Sequence, residues 1–290
     1  MLIVVIIILI ILSSRVFIDN NVIQICKYKI FSKRLPKEFN GFTIVQLADL
    51  HSKRYGDDNA KLINKINKIN PNVIMVTGDM INDDGNYSVC IKLLENLSSK
   101  YKVYFIVGNH EQNLRILNPH KYNNMMAELM KIKVDVLLNE KREILFNGKI
   151  INLYGAFMES RYYRNMLDKK SRSIEFTIED LEENIGQANS ELYNILMIHN
   201  PIFFETYSAW GADLVLCGHM HGGMVRFPLI GGVFSPENNL FPKFCSGIFQ
   251  QNNASMIVSR GIGIGSFGFR FFNRPELTVI TLKNKGSVAK

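Results

Sequence analysis

Apolar runs alternate with amphipathic stretches along the first half of the folded part of the chain. Residues 42–47, 73–76 and 103–107 are short runs rich in β-branched and aromatic side chains, typical of buried strands. Between them, residues 59–69 and 89–97 carry apolar side chains at helical spacing. This strand–helix order predicts a parallel sheet with helices on both of its faces.

The second half continues with further strand-like runs and fewer helices. Residues 144–146 and 150–154 flank Asn147-Gly148, which predicts a β-hairpin with a type I′ turn. The other predicted elements are two helices, over 123–131 and 178–188, and four strands, over 193–198, 214–216, 255–259 and 277–282. Since no linker separates these pieces, we predict one α/β domain built on two sheets.

The N-terminus has a different pattern. Residues 1–12 are an unbroken apolar run, and three more apolar residues follow Arg15. With Arg15 reaching toward the headgroups, about 18 residues of this kind just span a hydrocarbon core. A cleaved signal peptide would need a basic start and a small-x-small cleavage site, which the sequence does not show. We therefore predict an uncleaved membrane anchor over 1–18, a juxtamembrane basic segment over 19–40 and a folded domain over 41–284.

The net charge and the positions of the basic residues limit the classes of molecule that the protein is expected to bind. The formal net charge is +8, with an isoelectric point near 9.2, which fits nucleic acid, an anionic membrane or an anionic substrate. No basic stripe is interleaved with aromatic residues, so we expect no nucleic acid. The basic residues nearest the anchor favour a membrane surface: Lys27, Lys29, Lys33, Arg34 and Lys37. They also favour a cytoplasmic domain, but a single N-terminal anchor can export the domain attached to it, so the side of the membrane stays open.

Polar residues gather where five predicted strands end. Ligands of open parallel sheets bind just beyond such ends, and a set of histidines with two aspartates and one asparagine suits Zn, Mn or Fe. Leaving so many polar groups uncompensated in a core would be costly, so we predict a metal site. In each D-x-H or H-x-H pair, both side chains are expected on one face of an extended segment, gripping a metal together. The set is Asp49, His51, Asp79, Asn109, His110, His199, His219 and His221.

These motifs resemble the calcineurin-like metallophosphoesterase family, which carries D-x-H, G-D, G-N-H-D/E, H and G-H-x-H in this order. The resemblance covers residues 43–221, and a looser one continues to Leu277. With the anchor, the looser part resembles the membrane-anchored bacterial branch, which includes UDP-2,3-diacylglucosamine diphosphatases. The implied fold is a four-layer α/β/β/α sandwich of two mixed sheets, preceded by one transmembrane helix, with the phosphoesterase domain over 41–284.

The resemblance also implies a binuclear centre of two divalent ions, Mn, Zn or Fe. One ion would be held by Asp49, His51, Asp79 and His221, and the other by Asp79, Asn109, His199 and His219. Asp79 would bridge the two, and a hydroxide between them would attack phosphorus. The segment Asn109-His110-Glu111 would supply the catalytic residues, with His110 protonating the leaving oxygen or steadying the transition state and Glu111 orienting it.

The implied function is hydrolysis of a phosphoric ester or diphosphate bond, with a lipid-linked substrate favoured by the anchor and its basic flank. The alternatives are a phosphodiesterase acting on a soluble or cell-wall substrate and, in another class, an inactive membrane-tethered scaffold, against which the complete ligand set argues. Met220 and Met224 replace the Thr and Gln of the branch's usual G-H-T-H-G-G-Q. Neither is a ligand, so metal binding is expected to survive and substrate contact to differ.

A glycine-rich segment near the C-terminus has two interpretations. Gly263, Gly265 and Gly268 fit G-x-G-x-x-G, but no helix and acidic residue follow, so we reject a dinucleotide site. The glycines are instead expected to let the backbone approach the metal cleft or an acyl chain. Six nearby aromatic residues belong either to the core or to a lipid-facing rim: Phe241, Phe244, Phe267, Phe269, Phe271 and Phe272.

Overall fold

Seven α-helices follow one another in the described part of the chain, which comprises residues 1–163, 174–227, 230–237, 239–265 and 268–287 of this computed structural model. They are α1 (Leu2–Asn21), α2 (Ala60–Ile69), α3 (Ser88–Ser98), α4 (Asn109–Leu117), α5 (Pro119–Lys131), α6 (Ile178–Ile185) and α7 (Phe204–Trp210). Within those residues, α1 alone is long and apolar enough to cross a membrane.

The first of two six-stranded sheets holds strands from both ends of the chain. Its order is β1 (Gln24–Ser32), β14 (Glu276–Asn284), β2 (Thr43–Leu47), β3 (Val73–Thr77), β4 (Lys102–Ile106) and β5 (Asp135–Val136). Strands β2 to β5 are parallel to one another, whereas β14 runs antiparallel to β2 and parallel to β1. The sheet is therefore mixed, and the three strands with predicted ligands at their ends are adjacent.

The second sheet is also mixed. Its order is β12 (Gly247–Gln251), β13 (Ala254–Val258), β9 (Leu214–Cys217), β8 (Asn194–Met197), β7 (Lys149–Gly155) and β6 (Glu140–Phe146). The hairpin of β6 and β7 is confirmed, and its turn residues Asn147 and Gly148 have φ of 49° and 77°, the two positive values that a type I′ turn requires. A small ribbon of β10 (Arg226–Phe227) and β11 (Gly231–Gly232) lies outside both sheets.

Three separate hydrophobic cores define four layers. Val45, Ile74 and Phe105 face α2, α3 and α5 in one core, whereas Ile44 and Met75 meet residues of β7, β8 and β9 in the core between the sheets. The third core joins the second sheet to α6 and α7. The α/β/β/α sandwich is confirmed. The expectation of helices on both faces of one sheet is wrong, because the inner face of each sheet is apolar and packs against the other sheet.

Local capping explains two helix boundaries that differ from the predicted ones. Helix α5 begins before residue 123 because the Asn118 side chain accepts a hydrogen bond of 3.0 Å from the Lys121 N–H, and Pro119 occupies the first helical position. Helix α6 ends at Ile185 and not at residue 188, because Gly186 takes a φ of 72°. Both differences lie away from the strand ends.

The segment between the anchor and residue 41 belongs to the folded unit. Strand β1 falls within the predicted juxtamembrane stretch 19–40 and pairs with β14 at nine positions. Its basic residues Lys27 and Lys29 are exposed on this edge strand, while Ile30 is buried in the core between the sheets. Arg34, which follows β1, bonds to Asp213 at 2.8 Å. The boundary predicted at residue 41 therefore corresponds to no break in the structure.

This arrangement predicts how truncation affects folding. A variant that begins at Lys37 loses β1 and is expected to aggregate or unfold, because β14 becomes an unpaired edge and the core between the sheets loses Ile30 and Leu35. A variant that begins at Val22 keeps β1 and is expected to give a cooperative unfolding transition in circular dichroism. Equal stability of the two variants would contradict a structural role for β1.

Candidate metal centre

The predicted ligands lie in loops that follow the carboxyl ends of five strands. Asp49 follows β2, Asp79 follows β3, Asn109 begins α4 after β4, and His199 follows β8. His219 and His221 follow β9. Because the ends of β2, β3 and β4 face those of β8 and β9 across the interface, loops from both sheets meet at one edge of the sandwich.

The backbone at these residues is left-handed. Asp49, His51, Asp79, His219 and His221 have φ of 52°, 46°, 55°, 71° and 49°. Such values are uncommon for residues other than glycine and gather at functional sites. The expectation that each D-x-H or H-x-H pair lies on an extended segment is therefore wrong: tight turns, not strand geometry, aim these side chains.

Asp49, His51 and His221 form one candidate ligand cluster. One ligand atom from each lies within 4.8 Å of the others. The Nε2 atoms of His51 and His221 are 3.1 Å apart, and His221 Nε2 is 3.8 Å from Asp49 Oδ1. All three side chains are buried. Two imidazole nitrogens facing one another beside a carboxylate form a donor set suited to a divalent transition metal.

Asp79, His199 and His219 form a second cluster of buried side chains. His199 Nε2 lies 3.1 Å from Asp79 Oδ2, and His199 Nδ1 lies 2.6 Å from the Thr77 carbonyl oxygen, which fixes the ring orientation. Asp79 also groups with His51 and with His110, so its carboxylate lies between the two clusters. His219 and His221 thus lie in different clusters, and the expectation that they grip one metal together is wrong.

The site passes a test of fit for a cation. Asp49 Oδ2 and Asn109 Oδ1 are buried and have no hydrogen-bond partner among the described residues. Buried oxygen atoms without a partner are rare in native proteins because their desolvation is uncompensated. Divalent ions at the two clusters would satisfy both oxygens, so the residues present fit the metals that the motifs imply.

The electrostatics of the first cluster favour neutral imidazoles. Burial lowers the pKa of His51 to about 4 and puts that of His221 well below its ordinary value. Burial also raises the pKa of Asp49 to about 6. Neutral imidazole is the form that binds metals, so these rings have the protonation state of ligands at neutral pH.

The second cluster contains a strongly coupled pair. Burial raises the pKa of Asp79, but the imidazoles of His199 and His110 outweigh it and hold that pKa well below its ordinary value. Burial lowers the pKa of His199, and the Asp79 carboxylate outweighs it and raises that pKa to about 10. The second cluster therefore holds the negatively charged Asp79 carboxylate beside a protonated His199, and a bound cation would displace that proton.

His110 lies at the entrance of the site, with its side chain 12% exposed. Its Nε2 is 3.9 Å from Asp79 Oδ2, and its Nδ1 is 2.7 Å from Asp83 Oδ1. Burial lowers the pKa of His110, but Asp79 and Asp83 outweigh it and raise the pKa above its ordinary value. The carboxylate that contacts the ring is that of Asp83, an exposed loop residue with no strand end or motif to mark it in the sequence.

Glu111 has a different position from the one predicted. Its carboxylate accepts hydrogen bonds from the backbone N–H groups of Gly108, Asp79, Met80 and Ile81, at 2.8, 2.9, 2.8 and 3.4 Å. The expectation that Glu111 orients the His110 ring is corrected: it ties the loop after β3 to the start of α4. In this way it fixes the backbone on both sides of Asp79.

Two further residues at the site were missed by sequence reasoning. The buried Glu237 places Oε1 2.6 Å from His219 Nε2, a carboxylate–histidine contact that orients and polarises the ring. The buried Asn273 donates from its side-chain amide to the carbonyl oxygens of His221 and Met224, at 2.7 and 3.0 Å. Both lie in loops distant from the motifs in sequence, so spacing could not reveal them.

The glycine-rich segment approaches the metal centre closely. A Cβ on Gly261 would lie 2.6 Å from Asp49 Cβ, and one on Gly263 would lie 2.0 Å from the Leu50 carbonyl oxygen. Gly263 N–H donates to the Asp49 carbonyl oxygen at 2.7 Å, and Gly265 faces the His221 ring. The prediction that the glycines admit the backbone to the cleft is therefore confirmed for Gly263 and Gly265, whereas Gly268 has no atom within 4 Å of its Cβ position.

The aromatic residues of the predicted rim divide into two groups. Phe244 is buried, and Phe271 is half-buried. Phe241, Phe269 and Phe272 are 61%, 42% and 37% exposed. Phe267 lies outside the described residues. Of the exposed group, Phe269 lies beside α1 and Phe272 lies under Arg15 of that helix, which is consistent with a lipid-facing rim there.

The chain belongs to the calcineurin-like phosphoesterase family, whose sequence profile matches residues 42–223. It is 27% identical over 274 residues to the uncharacterized metallophosphoesterase YkuE of Bacillus subtilis, covering 92% of this chain and 88% of that protein. It is 27% identical over 248 residues to the phosphodiesterase YaeI of Escherichia coli, covering 83% and 82%. A transmembrane protein with a metallophosphoesterase domain from Bos taurus is 26% identical, covering 86% of this chain and 55% of that protein.

Solved structures with a partial similarity to this chain are also found. The phosphopantetheinyl hydrolase PptH of Mycobacterium tuberculosis aligns with a TM-score of 0.48 and 13% identity, covering 80% of this chain and 96% of that one. The family and its relatives make this chain a metal-dependent hydrolase of phosphoesters. Calcineurin-like phosphoesterases use two divalent metal ions, and the two clusters supply candidate ligands for them.

Proposed function

We propose that the protein is a binuclear hydrolase of a lipid-linked phosphoric ester or diphosphate, held at a membrane by α1. The observation that carries the binuclear part is the shared position of Asp79, whose carboxylate belongs to ligand groups on both sides of the site. Two cations side by side repel each other, and a carboxylate between them offsets that repulsion. Strained turns that hold buried polar groups are costly and gather at functional sites, which argues against an inactive scaffold.

The proposed ligands divide between the two ions as the clusters do. Asp49, His51, Asp79 and His221 would hold one ion, and Asp79, Asn109, His199 and His219 would hold the other. When bound, two such ions lower the pKa of water and neutralise charge on the phosphoryl oxygens. The protein's own contribution is to fix the ligands in one arrangement. Thr77 and Glu237 orient His199 and His219 for this purpose.

His110 is proposed to act on the leaving group. It is the histidine of the constellation at the partly open side of the site. Its Nδ1 lies 2.7 Å from Asp83 Oδ1, and its Nε2 lies on the side of Asp79, 3.9 Å from Oδ2. A proton on Nε2 can then be donated to the oxygen that departs from phosphorus. Asn109 precedes it at the start of α4, where the His110 backbone N–H donates to Asp79 Oδ1 at 2.9 Å, so the N-terminal end of that helix faces the Asp79 carboxylate.

The contacts of α1 support retention of the helix in the working protein. The side-chain amide of Asn20 accepts a hydrogen bond from the Arg270 N–H at 3.0 Å and donates one to the Arg270 carbonyl oxygen at 3.2 Å. The Asp19 carboxylate accepts a hydrogen bond from the Phe272 N–H at 2.6 Å. Arg15 pairs with Asp19 at 2.8 Å and lies over the Phe272 ring. Because Asp19 and Asn20 are buried against the domain, removal of α1 as a signal peptide would break their hydrogen bonds to residues 270–272. We therefore propose a membrane anchor docked on the domain.

The lipid-linked substrate is the finer part of the proposal. The docked anchor, the exposed aromatic rim and the likeness in motifs to the branch that includes UDP-2,3-diacylglucosamine diphosphatases support it. A soluble phosphodiester is the second candidate, favoured by the name of the Escherichia coli relative. Met220 is buried in the third core, so its replacement of the usual Thr alters packing behind the site.

The proposed role of His110 gives a direct test. Full-length protein in detergent, stripped of metal and resupplied with Mn²⁺, is expected to hydrolyse bis-p-nitrophenyl phosphate. His110→Ala is expected to lower kcat by roughly 10²–10⁴-fold, because the leaving oxygen loses its proton donor, while elemental analysis still finds two ions per chain.

His120→Ala provides the matched control, because His120 is exposed on α5 and lies outside the constellation. It should leave kcat unchanged. Loss of bound metal in His110→Ala would mean that this residue is a ligand, and an unchanged kcat would remove it from the chemistry.

A further inference from the structure

An apolar groove of about 640 Å³ lies between the last turns of α1 and the loop after β13. Leu12, Val16 and Phe17 of α1 form one wall, and Ile264 and Phe269 of the loop contribute to the other. Its volume is in the range of small-molecule sites. One residue of its lining carries a charge, Lys53.

The inner end of the groove lies beside a loop of the metal centre. Ile264 is followed by Gly265, which packs directly against the His221 ring: a Cβ there would lie 3.0 Å from that ring. On the opposite side, Lys53 follows His51 by two positions, and its Nζ is 3.3 Å from Asn21 Oδ1. Two residues of the lining, Ile264 and the cationic Lys53, are therefore close neighbours in the chain of Gly265, which contacts His221, and of His51.

The outer end of the groove opens beside the apolar part of α1. Leu12 is 42% exposed, and the side chains before it in the helix are exposed as well. The helix cannot swing away freely, because Asp19 and Asn20 hydrogen-bond to residues 270–272. If α1 spans a bilayer, the wall that contains Leu12 and Val16 lies at the hydrocarbon boundary.

We infer that this groove binds an acyl chain of the substrate and leads it from the bilayer to the metal centre. The inference rests on the proposed function, since it assumes hydrolysis of a lipid-linked phosphoester. An apolar groove that lies between a membrane helix and the loops of a metal centre suits a ligand that is apolar at one end and phosphorylated at the other. Lys53 would face the anionic headgroup. The anchor is thus part of the substrate site as well as a tether.

The test uses full-length protein in phosphatidylcholine nanodiscs with Mn²⁺. It compares two esters with the same leaving group, p-nitrophenyl hexadecyl phosphate and p-nitrophenyl ethyl phosphate. The wild type is expected to prefer the long chain at least tenfold in kcat/KM. Val16→Trp, which fills the groove, is expected to reduce that preference about tenfold.

Ile18→Trp serves as the matched control, because it places the same ring on the opposite side of α1, away from the groove lining. It should keep the preference of the wild type and thereby account for any effect of partitioning into the bilayer. Equal preference in Val16→Trp and Ile18→Trp would overturn the inference, as would a wild type that shows no preference.

Absence of turnover with both esters would instead overturn the proposed function, and a binding measurement then decides about the groove. A hexadecylphosphonate with a photoactivatable diazirine at mid-chain is expected to label the peptide containing Ile264 and Phe269 in the wild type and in Ile18→Trp. Labelling at least fivefold weaker in Val16→Trp supports the groove. Equal labelling of all three proteins rejects it.

Discussion

Asp79→Asn is expected to lower the Mn²⁺-dependent turnover of bis-p-nitrophenyl phosphate by roughly a thousandfold, which corresponds to about 4 kcal/mol of transition-state stabilisation. The carboxylate lies between the two ligand clusters, 3.1 Å from His199 Nε2 on one side and grouped with His51 on the other. An amide offers one neutral oxygen where two negative oxygens stood. We therefore expect elemental analysis to find fewer than two ions per chain.

Asp84→Asn is the control, since Asp84 is an exposed carboxylate in the same loop. It should retain both ions and full turnover. Thermal unfolding adds a second readout: Mn²⁺ at 100 times its dissociation constant stabilises the native state by about 2.7 kcal/mol, a gain that Asp79→Asn should largely lose. Full metal content and turnover in Asp79→Asn would show that this carboxylate bridges nothing.

The strands and the edge at which they end could be predicted from the sequence. Residues 73–76 and 103–107 are apolar throughout because both faces of a central parallel strand are covered, and such runs are unambiguous. Asp79 and Asn109 follow them directly, so parallel pairing alone brings these two side chains to one edge. The order of the motifs along the chain then predicted that His199, which follows a strand of the second sheet, belongs to the same site.

The turn geometry of the site could not be predicted in this way. Period-two reasoning assumes extended backbone, whereas Asp49 and His221 occupy left-handed turns that depend on tertiary contacts. One such contact is the hydrogen bond from His219 N–H to Asp49 Oδ1, at 3.0 Å, between residues 170 positions apart. Local propensity carries no information about a partner so distant in sequence.

The place of β1 escaped prediction for a related reason. Its alternation of exposed and half-buried residues, with Lys27 and Lys29 on the outer face, resembles a solvated basic segment. Only its pairing with β14, some 250 residues later in the chain, shows it to be an edge strand. The role of Arg270 could not be predicted either. Its buried guanidinium donates to the carbonyl oxygens of Gly263 and Arg260, each at 2.7 Å, and its backbone bonds to Asn20 of α1, so it links α1 to the metal loop.

Glu111→Gln is expected to destabilise the protein, because this buried carboxylate is the acceptor for several backbone N–H groups of the metal loops. It accepts four backbone hydrogen bonds, from Gly108, Asp79, Met80 and Ile81. In the glutamine variant, an NH₂ group replaces one of the two acceptor oxygens and faces backbone N–H donors. Each buried N–H that loses its acceptor costs about 1–3 kcal/mol of stability. A loss of about 2–4 kcal/mol would lower the Tm by roughly 3–7 °C for a chain of this size.

The comparison with His110→Ala separates structure from chemistry. If Glu111 positions Asp79 through the backbone, Glu111→Gln should lower Tm and metal content together, and turnover should fall as metal is lost. Saturating Mn²⁺ should then restore part of the turnover, which it cannot do for His110→Ala. Glu95→Gln, an exposed carboxylate on α3, should change none of these quantities. A Glu111→Gln protein with unchanged Tm and metal content but low kcat would instead reinstate the predicted role of Glu111 in orienting His110.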